Sequence, residues 1–179
     1  MNDEDFDIIR NIQKGQVNDF ELLVRKYQSP VFNVLHHMLH QEEIAKEMAQ
    51  EVFVKAYEHL DTFNFKNRFF SWIYRIAINT AISYRKKQQQ YIFTDHYPSF
   101  AIGSAEDILL GKEKSALLHK AIGQLKHKYK AVIVLRYFEQ LSYAEIAGVL
   151  GITESKVKSR LFASRSLLKD LLSDTGYFG

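Results

Sequence analysis

The chain has 179 residues, of which 46% are apolar and 25% charged, a balance ordinary for a globular protein with room for one large domain or two small ones. It contains no cysteine, which excludes disulfides, thiolate metal sites and thiol redox sensing. No apolar run is long enough to cross a bilayer. The start, Met1-Asn2-Asp3-Glu4-Asp5, lacks the basic-then-apolar order of a secretory signal, so a cytoplasmic protein is expected. The net charge of +3 hides an asymmetry: residues 1–62 carry 6 Lys/Arg against 12 Asp/Glu, and residues 63–179 carry 18 against 9. An acidic front and a basic remainder suggest two kinds of partner, one of them nucleic acid.

Apolar residues follow helical spacing almost throughout, and alternating β-branched runs are scarce, so an all-α fold is expected. Phe20, Leu23, Val24, Tyr27, Val31, Leu35 and Met38 step by three or four. Pro30 falls inside that run, where a kink or break is expected. Ile44, Met48, Val52, Ala56 and Leu60 step strictly by four, with Ala45, Ala49, Phe53 and Tyr57 beside them. This gives a helix of roughly five turns with a broad apolar face. A third helix is expected over about 69–87, with Trp72, Ile73, Ile76, Ala77 and Ile82 inward.

Periodicity then stops at Gln88-Gln89-Gln90, and Pro98, Gly103, Ser104 and Gly111 punctuate residues 91–112. Residues 89–112 are read as a linker, unusually long and rich in apolar residues. Helical spacing returns at Leu117, Leu118, Ala121, Ile122 and Leu125, and again at Val132, Ile133, Leu135 and Tyr137. The expected architecture is two small helical domains, 1–88 and 113–179, joined by the linker.

The most informative stretch is 141–161. Ala147 is small where two helices must touch, Gly151 suits a left-handed helix end, and Thr153 can N-cap the next helix. Val157 and Leu161, one turn apart, face inward. Lys156, Ser159 and Arg160 then point outward, with Ser155 and Lys158 flanking. A helix-turn-helix with basic and hydroxylated residues on its outer helix suits the DNA major groove, and it makes the second domain a four-helix unit.

Taken together and in order, these segments resemble the extracytoplasmic-function (ECF) group of RNA polymerase sigma factors. Residues 20–27 (FELLVRKY) are similar to the opening helix of that family's first domain, 47–57 (EMAQEVFVKAY) to its polymerase-binding helix, and 70–79 (FSWIYRIAIN) to its promoter-melting segment. Leu135-Arg136-Tyr137, 141–147 (LSYAEIA) and 157–161 (VKSRL) are similar to its second domain. The resemblance implies binding to core RNA polymerase, recognition of minus-ten and minus-thirty-five promoter elements, and an inhibitory anti-sigma partner.

The resemblance also implies roles for particular residues. Glu47, Gln50, Glu51, Phe53 and Val54 would meet the polymerase. The residues themselves say only that acids and an amide line the polar side of an amphipathic helix, which fits either a basic partner or a solvated face. For the minus-ten element the candidates are Phe63, Lys66, Arg68, Arg75, Asn79, Arg85 and Lys86. Melting needs rings on which unpaired bases stack, worth roughly 1–3 kcal/mol each, and the stretch 63–84 holds seven aromatic residues. Trp72 and Phe70 are read as core; Phe63 and Asn79 match the family's pocket for a flipped base. For the minus-thirty-five element, Thr153, Ser155, Lys156, Lys158, Ser159, Arg160 and Arg136 are the candidates. Bases fall chiefly to Ser155, Lys156 and Ser159, and phosphates to Arg160 and Arg136.

Three positions depart from the family pattern. Asn64-Phe65-Lys66-Asn67 replaces a stretch that often contains Gly and Ser, leaving the minus-ten base preference open. Ser83 stands where Asp is common, and Leu125-Lys126 where Leu-Pro is usual. His36 and His40 are spaced for a metal pair, but no third ligand is evident. No phosphate-cradling loop or nucleophile motif occurs, so no metal, cofactor or enzymatic activity is expected. The competing readings are a helix-turn-helix regulator that does not act as a polymerase subunit and a helical adaptor without DNA contact. A receiver domain would require alternating strands and helices, which the first 90 residues do not show.

Overall fold

The computed structural model describes residues 3–92, 109–173, 175 and 177, and among these every regular element is helical. The first group of helices comprises α1 (Asp3–Gln13), α2 (Phe20–Leu39), α3 (Glu42–Glu58) and α4 (Phe69–Ile92). The second comprises α5 (Leu109–Gln124), α6 (His127–Ile133), α7 (Tyr143–Leu150) and α8 (Glu154–Ser173). A π-helical turn over Val134–Phe138 extends α6.

The strict spacing along α2 and α3 becomes a packed interface. Leu23, Val31, Val34 and Leu35 of α2, Ala45 and Val52 of α3 and Phe69, Ile73 and Ala77 of α4 are fully buried together. Of the expected kink or break, a break does not occur: α2 runs continuously through Pro30. A proline inside a helix removes one backbone hydrogen bond and costs about 3 kcal/mol. Here the buried face on either side of it, Tyr27 to Leu35, holds the helix through burial. The helix ends at His40, which adopts a left-handed conformation (φ 58°) and donates its N–H to His36 O at 2.8 Å.

α4 continues to Ile92, past the boundary expected near 88, and α5 begins at Leu109. The linker therefore falls largely outside the described residues. The two helical groups are docked: Val132, Leu135, Ile146, Val149 and Val157 join one continuous apolar cluster with the core of α2–α4. Within the second group, Ser164 of α8 is fully buried and its hydroxyl donates to Arg160 O at 2.6 Å and to Tyr129 O at 3.3 Å.

Candidate nucleic-acid interface

The helix-turn-helix is built by local rules. Ser142 caps α7 in a capping box: its hydroxyl accepts from Glu145 N at 3.2 Å, and Glu145 Oε2 accepts from Ser142 N at 2.9 Å. Those bonds to Ser142 hold the Glu145 carboxyl below the usual carboxylate range. Gly151 ends α7 in the left-handed region (φ 63°), where a side chain would be strained. Thr153 Oγ1 then accepts from Lys156 N at 3.2 Å and opens α8. Val157 and Leu161 are buried, anchoring α8 on the core.

The outward face of α8 departs from the expected one only at Arg160, which is half-buried, and in an added ring at Phe162. Ser155, Lys158, Ser159 and Phe162 are exposed at spacings of three, one and three residues, forming one stripe. Phe162 is 72% exposed, a large ring left in water amid basic and hydroxylated neighbours. It is absent from the sequence-based expectations, although its steps of three and four from Ser159 and Lys158 put it on their side of the helix rather than with Val157 and Leu161. Lys156 is exposed as well, at the border of the cleft between the two helical groups, and the half-buried Arg160 lines that cleft. Arg136 lies behind the turn. Its guanidinium donates to Leu141 O at 2.8 Å and sits 5.2 Å from the Tyr143 ring centroid, so it braces the entry to α7.

Among the minus-ten candidates, Lys66, Arg68, Arg75, Asn79 and Lys86 are exposed. Phe63 does not offer a free ring. It is 4% exposed and packs within 6.1 Å, centroid to centroid, of Phe6, Phe65, Phe69 and Trp72. The loop before α4 tucks this ring under α1, where edge-on aromatic pairing outweighs exposure to solvent. Arg85 is not a surface phosphate contact either. Half-buried, it donates to Leu39 O at 2.7 Å, a favourable place for a cation at the end of α2. Burial lowers its pKa.

Arg75 reaches across the cleft. Its Nε donates to Val149 O at 2.9 Å and its Nη2 to Gly148 O at 2.6 Å. Beside it, the Tyr74 hydroxyl donates to Glu139 Oε2 at 2.8 Å, and Arg68 Nη1 lies 3.3 Å from Glu145 Oε1. Burial raises the pKa of both Tyr74 and Glu139.

On the opposite side of the first group, Glu47, Gln50 and Val54 are exposed along α3. Glu51 pairs with Lys55 at 2.5 Å, and Phe53 is half-buried against the core. Tyr57 adds an exposed ring, packed edge-on against Phe20 of α2 at 5.2 Å. Acids ringing Val54 and Tyr57 make this face both acidic and apolar.

His36, His37 and His40 line the joint between the groups. The His37 ring stacks on Phe138 at 3.8 Å. Among the described residues no group of three His, Cys, Asp or Glu side chains is placed to hold a metal ion. No helix among them is long and apolar enough to cross a membrane.

A four-helix unit with polar and aromatic surface on its last helices, tied to a capped helix-turn-helix, has the build of a DNA-binding protein. Residues 23–91 match sigma-70 region 2 and residues 115–168 match sigma-70, region 4. The chain is 32% identical over 182 residues to the RNA polymerase sigma-H factor of Pseudomonas aeruginosa, spanning 95% of this chain and 94% of that protein. It is 33% identical over 178 residues to the ECF RNA polymerase sigma factor SigW of Bacillus subtilis, spanning 93% and 95%. Among solved structures, CnrH in complex with the cytosolic domain of CnrY superposes with a TM-score of 0.70 at 23% identity, covering 93% of this chain and 96% of that one. The sigma factor RpoE of Bartonella quintana, in complex with the anti-sigma factor NepR, gives 0.69 at 21%, covering 87% and 97%. The chain belongs to the ECF family of RNA polymerase sigma factors, and its function is to direct promoter-specific transcription initiation.

Proposed function

We propose that this sigma factor divides its work among three surfaces. The α3 face of Glu47, Gln50, Glu51, Phe53 and Val54 docks on a basic surface of core polymerase, with Tyr57 adding apolar contact. The α4 side, with Lys66, Arg68, Arg75, Asn79 and Lys86, takes the minus-ten element. The exposed stripe of α8 takes the minus-thirty-five element, with Ser155, Ser159 and Phe162 toward base edges and Lys158 toward the backbone. Lys156 and Arg160 flank that surface on the cleft side. The observation that carries this reading is the stripe itself: a capped, buried-face-anchored helix presenting hydroxyls, a cation and one solvated ring.

Residues 1–88 and 113–179 serve as the two promoter-binding domains, with the segment 89–112 connecting them. The protein acts as a non-catalytic subunit, in the cytoplasm. A protein inhibitor of the anti-sigma type is its expected regulator, by analogy with RpoE of Bartonella quintana, whose solved complex holds the anti-sigma factor NepR. The test is transcription with purified chain, core polymerase and genomic fragments. Start sites sharing one pair of elements at fixed spacing support the assignment. Starts scattered without shared elements, or none beyond core polymerase alone, overturn it.

A further inference from the structure

Tyr143 is the first residue of α7, one step beyond the Ser142 cap, and its half-buried ring packs against the shared apolar cluster. Two cations from other elements meet that ring. The Arg136 guanidinium, from the π-helical turn, lies 5.2 Å from its centroid, and the Lys158 ammonium, from α8, lies 5.9 Å from it. Three elements that are separate in sequence therefore converge on one aromatic side chain.

The acids nearby do not claim these cations. Among the described residues neither Arg136 nor Lys158 takes part in an ion pair. Glu145 is engaged by Ser142 and Arg68, and Glu139 by Tyr74. Arg136 is fixed from behind by its bond to Leu141 O at 2.8 Å. Lys158 is exposed and belongs to the stripe of Ser155, Ser159 and Phe162. Two positive groups gathered at one ring, with no carboxylate paired to either, raise the potential that an anion meets there.

We propose that Tyr143 is a positioning residue for DNA binding: its ring, held by packing and by Arg136, presets the Lys158 ammonium for a backbone phosphate at the minus-thirty-five element and so fixes how α8 sits in the major groove. This rests on the assignment of the α8 stripe to that element.

The physical reason is preorganisation. Lysine carries its charge on a flexible four-carbon stem, and ordering one such side chain on binding costs about two- to tenfold in affinity. A cation within about 6 Å of a ring face is attracted to it. The ring is also uncharged. Unlike a carboxylate, it holds the ammonium without neutralising it, so no ion pair has to break before a phosphate is met. Phosphate contacts carry no sequence information but set register and orientation. Through Lys158, the ring thereby governs how Ser155, Ser159 and Phe162 are presented to base edges.

The test uses the full chain and a mixed-sequence DNA duplex, because the contact reads no bases. Tyr143→Leu keeps an apolar side chain and loses the ring, and should weaken binding about threefold. Tyr143→Met repeats the comparison should the leucine pack badly. Tyr143→Phe keeps the ring and should bind as the parent does. In a Lys158→Ala background, Tyr143→Leu should weaken binding by less than about 1.5-fold, because the residue through which it acts is gone. Equal losses with and without Lys158, or a Tyr143→Leu chain that binds like the parent, would overturn the positioning role. So would a Tyr143→Phe chain as weak as Tyr143→Leu, which would put the hydroxyl itself on the phosphate. Failure of the stripe assignment shows separately: the salt slope of Lys158→Ala, expected to fall by about one, would stay unchanged, and the positioning role would fall with it.

Discussion

The Tyr27 hydroxyl donates to Asp5 Oδ2 at 2.6 Å, and Lys26 Nζ lies 2.6 Å from the other oxygen of the same fully buried carboxylate. Two successive residues of α2 thereby fix α1, which carries Phe6 against Phe63 and Phe65. The acid at position 5 thus belongs to the fold as well as to the acidic front of the sequence.

Removing that carboxylate takes the acceptor from a buried hydroxyl and the shorter ion pair from Lys26. Asp5→Ala should lower unfolding stability by about 1–3 kcal/mol, and Tyr27→Phe, which removes only the hydroxyl, by about 1 kcal/mol. Urea titration of the full chain measures both. Equal losses would show that the Lys26 pairing contributes nothing.

Phe63 and Asn79 separate stability from melting. Phe63 is packed among four aromatic rings, so Phe63→Ala should cost about 3–5 kcal/mol and impair promoter opening only together with a lowered Tm. Asn79 is exposed at the cleft. Asn79→Ala should leave the Tm unchanged and reduce permanganate reactivity of thymines in the opened promoter. A Phe63→Ala chain with unaltered Tm but deficient melting would return that ring to the base pocket.

The joint between the helical groups should weaken in acid. Burial, with His36 and His119 adding to it, pushes the His37 imidazole down to about 4. Burial, with Lys130, Arg85, His119 and His36, pushes His40 down to about 3. Of the acids nearby, Glu42 faces His36, and Glu139 is bonded to Tyr74. Both rings are therefore held neutral when docked. An undocked chain, with ordinary imidazoles, takes up protons first as pH falls below about 6.5. The docking free energy is thus fully present above that value and is lost progressively toward pH 4. Dye separation across the joint should increase between pH 7 and pH 5, and His37→Gln should reduce the change. A separation constant over that range would place the rings outside the joint.

Helices α2, α3 and α8 were legible because burial stamps a three-and-four spacing on the residues that make it. Ser142, Gly151 and Thr153 mark helix ends by chemistry that acts within four residues. What escaped reading depends on distant partners. Arg75 bonds carbonyls 73 and 74 residues away, and backbone acceptors leave no trace in side-chain identity. Arg85 looks like its exposed neighbour Lys86 until α2 ends beside it. Phe63 sits in a loop, where no periodicity tells a buried ring from a displayed one. Pro30 signals a break locally, yet the packed face of α2 overrides it.

Phe162 gives the sharpest test of the recognition surface. Its ring is the large apolar group on a stripe otherwise made of Ser155, Lys158 and Ser159. Phe can meet the C5-methyl of thymine in the major groove, and burying one methyl-sized group is worth roughly 0.8 kcal/mol, about fourfold in affinity. Replacing thymine by deoxyuridine at successive positions of the minus-thirty-five element should weaken binding by that factor at one position. In Phe162→Ala the same replacement should have no effect. Lys158→Ala and Arg160→Ala should instead weaken matched and scrambled elements alike and lower the salt slope by about one each. If Phe162→Ala keeps its thymine preference while Arg160→Ala loses discrimination at constant salt slope, bases are read from the cleft side of α8, by Lys156 and Arg160, and the exposed stripe faces the backbone.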